Sequence, residues 1–129
     1  MPISISVKTD SRAEMLDITS SVQKEIAKAG MRDGICVVYV PHTTAGITIN
    51  EGADPDVCSD ILAKFNELVP PHRGYRHTEG NADSHIKASL MGSSVSVIVE
   101  NGRLVLGAWQ KIFFCEFDGP RSRKVNIML

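Results

Sequence analysis

Three of the four histidines lie in segments rich in small, hydroxyl and amide residues, away from any apolar stripe. These are Pro41-His42-Thr43-Thr44-Ala45-Gly46 and His77-Thr78-Glu79-Gly80-Asn81, the latter running on to His85-Ile86-Lys87. Neutral imidazole ligates zinc and similar ions, and it is the side chain that titrates nearest neutral pH. If His42, His77 and His85 meet, they form a three-nitrogen site for a divalent metal, zinc first, with room for a substrate. Their spacing matches no local metal motif such as H-E-x-x-H, so the fold would have to bring them together. The competing reading is separate surface histidines, and His72, between proline and arginine, is read as one.

Other side chains near these segments suit the same chemistry. Glu51 and Glu79 are the nearest carboxylates, placed to act as a general base or to orient a histidine, or simply to be solvated. Thr43, Thr44 and Asn81 offer neutral hydrogen bonds to a phosphate. A helix start at His85 gathers free N–H groups, which favours anions and a neutral imidazole. Alternation after Asp118-Gly119-Pro120 puts Arg121 and Arg123 on one face of the last strand. Paired guanidiniums suit phosphate or pyrophosphate; the alternative is a charged edge strand that blocks aggregation. Trp109 is read as a core residue.

The elements that must position these groups follow from local pattern. Ile3, Ile5 and Val7 alternate with polar residues as a strand, and Glu14 to Ile18 makes a second short one. Ser20-Ser21-Val22-Gln23 reads as a capping-box helix start, with Gly30 as the stop. Gly34 to Val40 is a continuous apolar run and predicts a strand covered on both faces, with His42 just past its end. Ile47-Thr48-Ile49 is another strand. Asp54-Pro55 predicts an N-cap and first helical turn, with Val57, Ile61, Phe65 and Leu68 as the buried stripe. Residues 70 to 84 form the longest irregular segment, and Asp83 or Ser84 caps a short helix from His85 to Met91. The last third is β: Ser93 to Glu100, an Asn101-Gly102 hairpin, Arg103 to Leu106 with a bulge or close approach at Gly107, Trp109 to Phe117, and Val125 to Leu129.

Bulk properties bound the rest. A chain of 129 residues with 43% hydrophobic and 22% charged content fits one domain over residues 1–129. A net charge of -1 argues against nucleic acid or an anionic membrane as partner. No apolar run reaches the ~18 residues needed to span a bilayer, and the start does not read as a signal peptide. Cys36, Cys58 and Cys115 form no C-x-x-C pair and read as reduced, buried thiols, which fits a cytoplasmic protein. Glycine-rich dinucleotide, Walker and G-x-S-x-G motifs are absent.

The chain resembles the YjbQ-like family of bacteria and archaea along essentially its whole length. The resemblance is carried by Pro41-His42-Thr43-Thr44-Ala45, Asn50-Glu51, His77-Thr78-Glu79-Gly80-Asn81, His85-Ile86-Lys87-Ala88, Leu106-Gly107-Ala108-Trp109-Gln110 and Glu116-Phe117-Asp118-Gly119-Pro120-Arg121. Ala108 stands where such sequences more often have threonine. The resemblance implies a compact α+β domain with a mixed or antiparallel β-sandwich-like core and two to three flanking helices, assembled as a homotrimer. It also implies a site at subunit boundaries on His42, His77 and His85 that takes metal or oxyanions, and a weak, secondary thiamine-phosphate synthase activity. The leading expectation is therefore a transferase acting on phosphorylated small molecules. The alternatives are a non-catalytic metal- or metabolite-binding homotrimer and a metal-dependent phosphohydrolase.

Overall fold

Period-two alternation gives most strands one apolar row, and those rows draw two antiparallel sheets together. The computed structural model describes residues 2–129. The elements in chain order are β1 (Ile3–Lys8), β2 (Glu14–Asp17), α1 (Thr19–Ala29), β3 (Gly34–Tyr39), β4 (Ala45–Glu51), α2 (Pro55–Leu68), α3 (Ala82–Met91), β5 (Ser94–Glu100), β6 (Arg103–Leu104), β7 (Gln110–Glu116) and β8 (Ser122–Met128). One sheet has the order β1-β8-β3-β5-β6 and the other β2-β7-β4. This is the α+β, sandwich-like domain with three helices that the sequence led us to expect, and its strand pairings are all antiparallel.

The first core lies between the sheets and is completed by α1. Val22, Ile26, Cys36, Val38, Ile47, Ile112, Phe114, Val125 and Ile127 are enclosed there. Burial of each such aliphatic or aromatic side chain contributes about 1.5–3 kcal/mol. Strand β7 is buried on both sides, because Phe113, Cys115 and Phe117 point the other way into a second core under α2 and α3. Among the described residues, no helix is long and apolar enough to cross a membrane.

Local rules explain most boundaries. Asp54 Oδ1 accepts from Asp56 N at 2.9 Å, so the Asp54-Pro55 start of α2 forms as read. Asn101 and Gly102 take φ of 52° and 79° in the β5–β6 hairpin.

Several expectations are corrected. The helix α1 begins after Ile18 without a side-chain cap. Gln23, expected to complete a capping box, instead donates to Gly102 O and accepts from Leu104 N, tying α1 to the hairpin. Strand β3 is covered on one face only in the single chain: Cys36 and Val38 are buried, but Ile35 and Tyr39 are exposed. The α2 stripe is only partly as expected: Phe65 packs on the second core, but Cys58 and Leu62 join it there in place of Val57 and Ile61, and Leu68 is exposed. The helix α3 starts at Ala82, so Asp83 and Ser84 lie in its first turn as buried groups and do not cap it. Trp109 is 65% exposed on the turn before β7, outside both cores. Strand β8 lies between β1 and β3 and is no edge strand.

Candidate functional site

The apolar run of β3 ends at Tyr39, and Val40 is pinned by its N–H to Ser93 O at 2.8 Å. The chain then turns past His42 into β4. Helix α3 crosses the same end of the smaller sheet: Ile47 N donates to Gly92 O, and a Cβ on Gly46 would lie 2.6 Å from that oxygen. Glycine at 46 is thus what lets helix and strand approach. A hollow of about 410 Å³ opens between them, with His42, Thr43, His85, Ser89 and Ser93 among its lining.

A second hollow, of about 370 Å³, adjoins it. Tyr75, Arg76, His77, Ala82, His85 and Ile86 line this one. His85 therefore belongs to both walls, the first mixed and the more polar of the two, the second largely apolar. The His77 and His85 rings meet edge to face with centroids 5.3 Å apart. The fold thus gathers the three histidines pairwise, His42 with His85 and His85 with His77.

They do not close on one point within the chain. Among the described residues, no three His, Cys, Asp or Glu side chains gather tightly enough to hold a metal ion. His42 also has one nitrogen committed, since Nε2 accepts from Lys124 N at 2.9 Å. Its proton in the neutral form is then on Nδ1. Burial, and next the positive charge of Arg123, lower the His42 pKa, so the ring is neutral at pH 7. The donor set of a single chain does not fit the expected three-nitrogen cage.

Two ion networks, each on a buried carboxylate, lie close to this part of the fold. Behind His42, Arg123 donates to both oxygens of Glu116 and to Thr44 Oγ1, while Thr9 Oγ1 donates to Glu116 at 2.7 Å. Burial alone would raise the Glu116 pKa, but the bonds from Arg123, Thr9 and the backbone leave it below the usual carboxylate range. Gly119 makes room for this junction: a Cβ there would lie 2.2 Å from Ser11 O and 2.9 Å from Glu116 Cγ. Two residues before His85 on α3, Asp83 accepts from Arg12 at 3.0 and 3.2 Å and from Lys87 at 2.8 Å. Its burial is again outweighed by these donors and its pKa is lowered.

Several candidate residues are thereby engaged elsewhere. Arg123 and Thr44 are buried in the Glu116 network. Arg121 precedes β8, is exposed, and donates to the Asp118 carboxylate and carbonyl, so the two arginines do not share a face. Asn81 Nδ2 donates to Asp118 at 2.8 Å. Glu51 sits at the far end of β4 and accepts from Ala53 N and Asp54 N. Glu79 is exposed in the 70–81 loop. Thr43 is the candidate phosphate donor that faces the more polar hollow. The expected anion site at the start of α3 already carries the chain's own Asp83 carboxylate in its first turn.

Asp83, Lys87 and Glu116 were not anticipated as buried groups. Their signal was present: Glu116 is a lone acid in Ile112-Phe113-Phe114-Cys115-Glu116-Phe117, and Asp83 and Lys87 stand four apart on one helix face.

Comparison with known proteins places this architecture. A family model described as "UPF0047 protein YjbQ-like" matches residues 3–129. The UPF0047 protein YugU of Bacillus subtilis is 53% identical over 126 residues, covering 97% of this chain and 96% of that protein. A crystal structure from Clostridium acetobutylicum, of an uncharacterized conserved protein of the YjbQ/UPF0047 family, superposes with a TM-score of 0.96 at 55% identity, covering 98% of both chains. A YbjQ-like protein of unknown function from Sulfolobus solfataricus gives 0.93 at 37% identity, covering 98% of this chain and 94% of that one.

Proposed function

Because the chain belongs to the YjbQ-like UPF0047 family, whose relatives above are named without a reaction, we propose from the site itself that it is a transferase acting on phosphorylated small molecules. The observation carrying this reading is His85 in the wall common to a hollow bearing hydroxyls and imidazoles and a more apolar one. The more polar hollow has hydroxyls and imidazoles but no carboxylate in its lining, which suits a phosphate or pyrophosphate. The apolar hollow suits the organic part. His85 then stands beside the bond that joins them.

The reaction implied by the family resemblance, a weak thiamine-phosphate synthesis, fits this division. The C–O bond from a pyrimidine methylene to pyrophosphate breaks and its electron pair leaves with pyrophosphate. The lone pair of a thiazole-phosphate ring nitrogen forms the new C–N bond. Donors fixed around the leaving oxygens lower the barrier. Here they are His42 Nδ1–H, Thr43, Ser93 and His85. Replacing His85 with alanine should cut turnover by about 10²–10³-fold with circular dichroism and melting unchanged. Thiamine-phosphate formation at the wild-type rate by that variant would remove the proposed role.

A second reading, a metal or metabolite binder without turnover, is favoured by the close His77–His85 pair. These two rings would hold a divalent ion, zinc first, only with further donors from a substrate or a second copy. Elemental analysis together with a pyrophosphate-ester turnover assay separates the readings: bound metal without turnover favours the binder, and phosphate release without an acceptor favours a phosphohydrolase. The expected homotrimer finds support in the outer face of the larger sheet. Ile35 and Ile98 lie opposite each other there, with Tyr39 and Met128, all exposed in the single chain. Three free thiols suit a cytoplasmic setting.

A further inference from the structure

The β5–β6 hairpin folds against the end of α1 and frames a hollow of about 470 Å³, a size that suits a small molecule. Gln23, Met31, Arg32, Asn101 and Arg103 are in its lining, and no carboxylate is. The walls are tied together. Gln23 Nε2 donates to Gly102 O at 2.8 Å, its Oε1 accepts from Leu104 N at 3.0 Å, and Gly102 N donates to Arg32 O at 2.8 Å. Arg32 Nη1 lies 4.0 Å from where a Cβ on Gly102 would be, so its head rests over the turn that leads into Arg103.

Among the described residues, neither guanidinium forms an ion pair. Asp33 uses Oδ1 to accept from Asn101 N at 3.0 Å. Glu100, opposite Arg103 in the ladder, is exposed and outside the lining. The negative end of α1 is blunted, since Gly30 N and Met31 N take up the Ala27 and Ile26 carbonyls. A second hollow of about 420 Å³ adjoins the first, sharing Gln23 and Ala27. Lys24, Leu104 and Leu106 are in its walls, again without a carboxylate.

We propose that this groove is a second ligand site, for a small organic anion whose phosphate or carboxylate sits between Arg32 and Arg103 and whose apolar part runs along Ala27, Leu104 and Leu106. Two guanidiniums beside one hollow repel each other until an anion joins them, and their planar forks match either head group. The site is separate from the histidines. Val99 and the hairpin adjoin Gly34 at one end of β3, whereas His42 follows Tyr39 at the other, roughly 17 Å away. A ligand here leaves the histidine hollows free.

Amide spectra of isotope-labelled protein test this with hexyl phosphate, hexanoate and the neutral hexanol as probes. At millimolar concentration at least one of the two anions should move the Gly30, Gly102 and Arg103 signals saturably, and hexanol should not. The tighter of the two anions identifies the head group. Arg32→Gln combined with Arg103→Gln, both exposed positions, should weaken that binding by about tenfold or more with melting unchanged. Thr43 and Gly92 report the histidine hollow in the same titration, so this site and the functional reading succeed or fail independently. Gly30 and Gly102 signals that stay still with both anions, equal shifts with hexanol, or undiminished affinity in the double variant overturns the proposal.

Discussion

The two carboxylates buried beside the histidines are in similar surroundings but have different numbers of partners. Glu116 joins the sheets behind His42, with one cation, Arg123, itself only 6% exposed. Its remaining bonds come from Thr9 and the Phe117 and Asp118 amides. Asp83 joins α3 to the β1–β2 loop and has two cations, Lys87 at 4% exposure and Arg12 at 40%. A buried acid with one cation has no substitute when that cation is lost, whereas one with two retains a counter-charge. The His42 side of the site is therefore the more fragile.

The largest expected effect tests that directly. Arg123→Met leaves Glu116 enclosed without a counter-ion and should cost about 3–5 kcal/mol, read from urea unfolding at pH 7. Adding Glu116→Leu should recover most of the loss, because the penalty comes from the uncompensated charge. A double variant as unstable as the single one would mean that the junction needs its ions for packing. In the Arg123→Met protein the His42 pKa should also rise, since the nearby positive charge is gone.

Arg12→Ala should do less. Asp83 keeps Lys87, and the Arg12 guanidinium is open enough for water to screen it, so about 1–2 kcal/mol is expected. Lys87→Met should fall between the two, because it removes the drier cation and the bond to Asn66 at 3.1 Å. Equal losses for Arg12→Ala and Arg123→Met would end the argument from redundancy.

This contrast was only partly legible in the sequence. Asp54-Pro55 and Asn101-Gly102 act through neighbouring backbone, so pattern alone places them. The strands were readable for the same reason, including the position of His42 past β3. The pairing of Glu116 with Arg123 and of Asp83 with Arg12 depends on register and helix placement, which no local rule fixes. Arg123 therefore read as a phosphate ligand although it is an internal counter-ion. Strand β3 misled in another way. An apolar run reports that both faces avoid water without saying that the covering belongs to the same chain, and Ile35 and Tyr39 are exposed here. Trp109 reverses that error: its size suggested a core, but a turn outside both cores holds it.

The smallest effect separates the two sides of the site by pH. Glu116 and Asp83 both have folded pKa values below the ordinary carboxylate range. Their contribution is complete above about pH 5, beyond the unfolded carboxylate values, and disappears as pH falls through the folded values. His42 acts in a higher window. Its folded pKa lies below 6.5, so between 6.5 and that value the unfolded chain binds a proton that the folded chain refuses. Stability should therefore decline as pH drops through this interval, with a slope of at most about 1.4 kcal/mol per pH unit from this group. His42→Gln keeps an acceptor for Lys124 N–H but cannot titrate, so it should flatten the decline that begins near pH 6.5 and leave the acid loss from the carboxylates unchanged. Arg12→Ala should do the reverse, weakening the acid loss because Asp83 then titrates closer to its unfolded value. A slope near pH 6 that survives in His42→Gln would show that the ring ionises alike in both states, and the electrostatic difference between the two sides would reduce to the carboxylates alone.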